Sequence, residues 1–191
     1  LEFVLMYLAV AKTGIVIVPV STLLNEMGLK RLLADSDSVL VVADPSYAGI
    51  LRDIRWNLLA IEPDRFILAG VDRAPAGFLS FEDFVGNAPE TEPPDAALVD
   101  EHVYNIMYSS GTTGMPKGIV HTHYVRANYC TLFASSFRLT PGSVFLHSGS
   151  FVFNSAMMDL MPWMFLGCHY ILHEAFDVRR TIEEFEASKV T

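Results

Sequence analysis

Short apolar runs alternate with helix-like stretches along this 191-residue sequence, and that order leaves few architectures open. Leu1 to Thr13 has helical composition and stops at Gly14, a residue that readily closes a helix C-terminus. Ile15-Val16-Ile17-Val18, ended by Pro19, has the continuous apolar pattern of a strand buried on both faces. A helix is expected over Asn25 to Ala34, with Leu29, Leu32 and Leu33 inward, then a strand over Val39 to Val42. Tyr47 to Leu59 reads as helical and Phe66 to Ala69 as extended. Parallel strands need such intervening crossovers, so the expected fold class is α/β, with mostly parallel sheets flanked by helices.

Ser80 to Asp83 has the spacing of a capping box with Asp in place of Glu, which starts a short helix. The stretch that follows, NAPETEPPDAALVD, is rich in proline and acid and has no periodicity. Residues 87–101 are therefore expected to be an exposed connection between two halves, 1–86 and 102–191, of one partial domain. The second half has an expected strand at Val103 to Tyr108, an extended segment at Ile119 to Thr122 and a helix at His123 to Phe137. Beyond these come a strand at Val144 to His147, a helix at Ser155 to Leu166, a strand at His169 to Leu172 and a helix capped by Asp177 that runs to Ser188.

Charge narrows the partners. With 13 Lys and Arg against 22 Asp and Glu, the net charge is −9, and the longest basic run is Arg179-Arg180, so nucleic acid is not expected. Cys130 and Cys168 sit among apolar or aromatic neighbours without metal-ligand spacing, and read as buried, reduced thiols of a cytoplasmic protein. Two apolar stretches are interrupted. Glu2, Lys12, Gly14 and Pro19 break residues 1–20, and Asp159, Pro162 and Gly167 break residues 151–172, so both read as core and no transmembrane segment is expected. Hydrophobic residues nevertheless make up 51% of the chain. That excess, together with a start at Leu1, is the pattern of a fragment whose exposed apolar surface promotes self-association.

The stretch YSSGTTGMPKG, residues 108–118, places hydroxyls, glycines and one lysine between apolar strands. Gly111, Gly114 and Gly118 permit close backbone approach, successive amides in such turns bind anions, and Lys117 supplies a fixed cation. Ser109, Ser110, Thr112 and Thr113 add hydroxyl donors. A polyphosphate suits this set, and an acidic protein needs a divalent cation, Mg²⁺, to take it. A flexible linker of the same composition has no use for Pro116 and Lys117. The Walker A spacing is absent, so this is a phosphate loop of another type.

Residues Ser110 to Gly118, SGTTGMPKG, resemble the signature loop of the acyl-adenylate-forming superfamily of acyl-CoA synthetases, peptide-synthetase adenylation domains and luciferase. Gly14 to Asp44 is similar to that family's early strand, helix and strand, Thr122-His123 matches its Thr-His pair, and FDVRRTIEEFEASKVT resembles the helix after its acyl-pocket segment. The resemblance implies part of the large N-terminal domain of an acyl- or aryl-CoA synthetase. That enzyme activates a carboxylic acid with ATP and Mg²⁺ as an acyl-adenylate and passes it to coenzyme A. It further implies that Ser109, Ser110, Gly111, Thr112, Thr113, Gly114 and Lys117 hold the phosphates, with Lys117 and Thr112 catalytic. The family's aromatic-Gly-x-Thr-Glu segment, ribose-binding Asp and distal Lys do not occur before Thr191, so the chain alone is expected to be inactive. A silent nucleotide-binding module and an adenylation domain serving a carrier protein remain as alternatives.

One segment departs from the pattern. Where many members have Pro-x-x-His-x-x-Gly, this chain has Ser148 to Asn154, and Phe153 falls near the histidine position. Phe151, Phe153 and Asn154 are the expected pocket residues, with Phe153 either gating the acyl group or filling core. His147 is expected on the preceding strand, without a catalytic role. His121 and His123 would share a strand face, more in keeping with structure than with a metal site.

Overall fold

The computed structural model describes residues 1–86, 88–109 and 116–191. They form two compact units. One contains Phe3–Pro19 with Asp95–Thr191 and the other Val20–Pro94.

In the second unit, helix α2 (Glu26–Asp35) begins where Asn25 Oδ1 accepts from the Gly28 N–H at 2.9 Å. Leu29, Leu32 and Leu33 are its buried face, as the spacing requires. Strands β1 (Val41–Ala43), β2 (Phe66–Leu68) and β3 (Leu79–Ser80) pair in parallel in that order, with Val41 opposite Phe66 and Ile67 opposite Leu79. All three β2 residues are buried, as expected of a central parallel strand. The segment read as one helix over 47–59 is helix α3 (Ala48–Ile54) between 3₁₀ turns at Pro45–Tyr47 and Arg55–Asn57. Ser80 Oγ accepts from the Asp83 N–H and starts α4 (Phe81–Val85). Leu51, Ile54, Phe66, Leu68 and Phe78 form the middle of this core.

In the first unit, helix α1 (Glu2–Thr13) closes at Gly14, whose φ of 72° is the left-handed conformation glycine adopts freely. The strand expected at Ile15 to Val18 does not form. Ile17 alone bridges to Asn105, donating to the Tyr104 carbonyl and accepting from the Ile106 N–H, while Ile15 and Val16 face outward. Pro19 has no N–H with which to continue the ladder. Strands β4 (Val103–Ser109) and β5 (Lys117–Thr122) pair antiparallel, whereas β6 (Val144–His147) and β7 (His169–Leu172) pair in parallel. Helices α5 (His123–Ser136), α6 (Ala156–Leu166) and α7 (Val178–Ser188) complete the unit. Pro162 is accommodated inside α6, which ends at Gly167 in the left-handed region. Tyr7, Tyr104, Met107, Met157 and Leu160 lie in its core.

Among the described residues, no helix is long and apolar enough to cross a membrane. Cys130 and Cys168 are free and buried, and burial raises both thiol pKa values. Regular structure is absent from the described part of 87–101.

Candidate functional site

The site grows from the β4–β5 ladder. Apolar residues on β4 set it against the core, with Tyr104 and Met107 nearly fully buried. β5 returns opposite it, in the register Ile106 to Val120, Met107 to Ile119 and Tyr108 to Gly118. Ser109 and Lys117 are the last cross-strand pair among the described residues, so the two ends of the glycine-rich stretch stand opposite each other, and both residues are exposed. Gly118 makes this closure possible. A Cβ there would lie 2.9 Å from Ile106 Cγ2 and 3.2 Å from the Tyr108 ring. Ser110, Gly111, Thr112, Thr113 and Gly114 lie outside the described residues.

β5 leads directly into α5. Thr122 Oγ1 accepts from the Val125 N–H at 3.3 Å, capping the helix. His121 therefore ends on the strand while His123 is the first helical residue, and the shared strand face expected for them is not formed. His123 instead packs edge-on against Tyr104 at 5.2 Å. Burial lowers the pKa of both histidines, and for His121 the nearby Arg126 charge acts in the same direction.

One helical turn on, Arg126 turns inward. It is 2% exposed, and its Nε donates to Asn105 Oδ1 at 2.8 Å while Nη1 donates to Asn154 Oδ1 at 2.9 Å. Its guanidinium lies 4.9 Å from the centre of the Tyr129 ring, and the Tyr129 hydroxyl accepts from Asn154 Nδ2 at 3.0 Å. Three elements are thus joined: the strand that runs into the glycine-rich stretch, helix α5, and the turn ahead of α6.

That turn contains the other expected residues. Phe151 is buried and stacks on His147, with ring centres 4.5 Å apart. Phe153 is 56% exposed. Asn154 is exposed and held by Arg126. His147 occupies the end of β6, with Nδ1 3.5 Å from Asp159 Oδ2. The lone acid in the apolar α6 thereby gains a partner. Sequence reasoning passed over Asn105 and Arg126. Asn105 left only the trace of a polar residue in a mostly apolar strand, and Arg126 left none among the other polar residues of α5.

A family model described as AMP-binding enzyme matches residues 1–191, and the chain belongs to that family. It is 26% identical over 198 residues to 4-coumarate–CoA ligase 2 of Solanum tuberosum, covering 100% of this chain and 34% of that protein. Over 122 residues it is 32% identical to a 4-hydroxybenzoate–CoA/benzoate–CoA ligase of Rhodopseudomonas palustris, covering 64% of this chain and 22% of that protein. The chain thus spans about a third or less of the length of these relatives. Among solved structures, anthranilate CoA ligase AuaEII in complex with anthranoyl-AMP superposes with a TM-score of 0.82 at 24% identity, covering 95% of this chain and 35% of that one. The inhibitor-bound N-terminal domain of FACL13 from Mycobacterium tuberculosis gives 0.80 at 24% identity, covering 99% and 45%. These likenesses establish the mixed α/β fold of adenylate-forming N-terminal domains.

Proposed function

We propose that this chain is the phosphate-loop portion of an ATP-dependent acyl- or aryl-CoA synthetase, and that residues 1–191 belong to one large α/β domain of it. The observation that carries the reading is the closure of the β4–β5 ladder by Ser109 and Lys117, with the family's signature stretch between them. In the reaction, a carboxylate oxygen attacks the α-phosphorus of ATP and the bond to the bridging oxygen breaks. Pyrophosphate departs with that electron pair and the acyl-adenylate remains. A coenzyme A thiolate then attacks the acyl carbon and AMP leaves. Magnesium enters with ATP as part of the substrate.

Both steps gather charge on phosphate oxygens, so the protein's task is alignment and charge stabilisation. Lys117 and Thr112 are assigned to the leaving pyrophosphate, and Ser109, Ser110, Gly111, Thr113 and Gly114 to cradling the phosphates. Phe151, Phe153 and Asn154 are assigned to the acid pocket, Phe153 as its gate. The unpaired cysteines support a cytoplasmic location. The exposed apolar stripe of α7 supports self-association. A share of only 34% of the potato ligase's length supports inactivity of the 191 residues alone.

The test is carboxylate-dependent ATP–pyrophosphate exchange by the intact protein. Lys117→Met is expected to lower kcat about 10²-fold or more without changing the circular dichroism spectrum. Exchange unaffected by this substitution would remove Lys117 from the mechanism. A second reading, an adenylation domain serving a carrier protein, draws on 24% identity over 194 residues to surfactin synthase subunit 1 of Bacillus subtilis, of which the chain covers 5%. Acyl transfer to a phosphopantetheine carrier in preference to coenzyme A would favour it.

A further inference from the structure

Arg126 is a buried cation without a counter-charge. Among the described residues no carboxylate forms an ion pair with it, although its side chain has almost no contact with solvent. Burying a guanidinium unpaired is costly, because lost hydration is not replaced by an opposite charge. Its partners are neutral: Asn105 Oδ1, Asn154 Oδ1, and Met107 Sδ at 3.6 Å from Nη2.

The polar atoms around it are also incompletely satisfied. Asn105, 0% exposed, leaves Nδ2 buried without a hydrogen-bond partner, and the buried Tyr7 hydroxyl also has none. Across the ladder, His121 faces Asn105 and leaves Nδ1 buried and unpartnered. The Arg126 charge acts on both Tyr7 and His121. Asn105 Nδ2 and the Tyr7 hydroxyl are donors, and the cluster carries one net positive charge. A carboxylate answers both needs, since it accepts several hydrogen bonds, carries the missing charge and matches the planar guanidinium fork.

The cluster has an outlet. Arg126 Nη1 is held by the exposed Asn154, next to the exposed Phe153, in the turn assigned above to the acid pocket. Nη1 is thus the guanidinium nitrogen on the side of that turn. We propose that Arg126, backed by Asn105 and Asn154, receives an acidic group of the substrate remote from the carboxylate that is activated. The acids taken are then dicarboxylic acids or acids with an equivalent second anionic group. The proposal rests on the pocket reading of residues 151–154. The same carboxylate chemistry could be supplied by an Asp or Glu side chain elsewhere in the intact protein, and the test separates the two sources.

The experiment is calorimetric titration of the intact protein with malonate through suberate and with terephthalate, each beside the monocarboxylate of matching length or ring. Pyrophosphate exchange is measured on the same pairs. At least one dicarboxylate is expected to bind about tenfold or more tightly than its match, a difference that Arg126→Met abolishes and Arg126→Lys reduces. Matched pairs that bind alike, binding of neither member, or a preference that survives in R126M each overturn the proposal. If R126M does not fold, an unchanged preference in R126K overturns it instead. Preferential binding without any exchange keeps this site and sinks the ligase reading. Exchange that favours monocarboxylates keeps the ligase reading, sinks the site and assigns the counter-charge to the protein itself.

Discussion

Tyr104 illustrates how much one side chain in this chain depends on residues far along the sequence. Its hydroxyl donates to the Tyr7 carbonyl at 3.0 Å, and its ring lies between Tyr7 and His123. Burial pushes its pKa up to about 12 from 10.0, against an opposing pull from the Arg126 charge, while burial also raises Tyr7 and Tyr170. The unfolded chain releases these phenolic protons near pH 10 and the folded chain keeps them. This contribution to stability is therefore complete below pH 10 and is lost as the pH rises towards about 12. A phenolate absorbance titration is expected to show these three tyrosines ionising only with unfolding. Early titration of Tyr104, read as absorbance lost from the pre-unfolding part of the curve in Tyr104→Phe, would count against it. At this scale legibility was uneven. Lys117 and Ser109 announced themselves by composition, whereas Asn105 did not, because one amide in an apolar strand has no spacing signature until Arg126 is seen to meet it.

Elements were easier to foresee where local chemistry decides them. Asn25, Ser80, Thr122 and Asp177 each accept a backbone N–H at a helix start, and Gly14 and Gly167 close α1 and α6, all readable from short windows. Strands depend on partners that no window contains. Ile15 to Val18 has the apolar content of a strand but makes one bridge, and β3, two residues long, leaves no pattern to detect. The β4–β5 pair offers a direct test of close packing. Gly118→Val drives a side chain into Ile106 and Tyr108 and is expected to cost about 1–3 kcal/mol, read as a lower melting temperature. An unchanged melting temperature would mean that the ladder does not pack as described.

At the scale of the whole molecule, the α/β class followed from the order of elements, but the composition of the two units did not. Phe3–Pro19 packs with residues some ninety positions later, a pairing that only long-range contacts such as Tyr104 to Tyr7 reveal. Helix α7 shows the surface consequence of the apolar excess. Val178, Ile182 and Phe185 form a stripe along it, with exposures of 60%, 54% and 51%. Light scattering of this chain is expected to show dimers or larger species, and Ile182→Glu with Phe185→Glu is expected to return it towards monomer. A wild-type monomer at high concentration would refute this.

The same discontinuity sets an order of assembly during synthesis. Tyr7 and Tyr104 are 97 residues apart, so at ordinary elongation rates on the order of 5–20 s pass between their appearances on the ribosome. During that interval the contiguous Val20–Pro94 unit already has all of its own strands and helices, while α1 waits with its apolar face open. Helix α1 is thus made well before Tyr104, Met107 and Met157, the residues that bury it, and in that interval its apolar face is open to anything that binds apolar nascent segments.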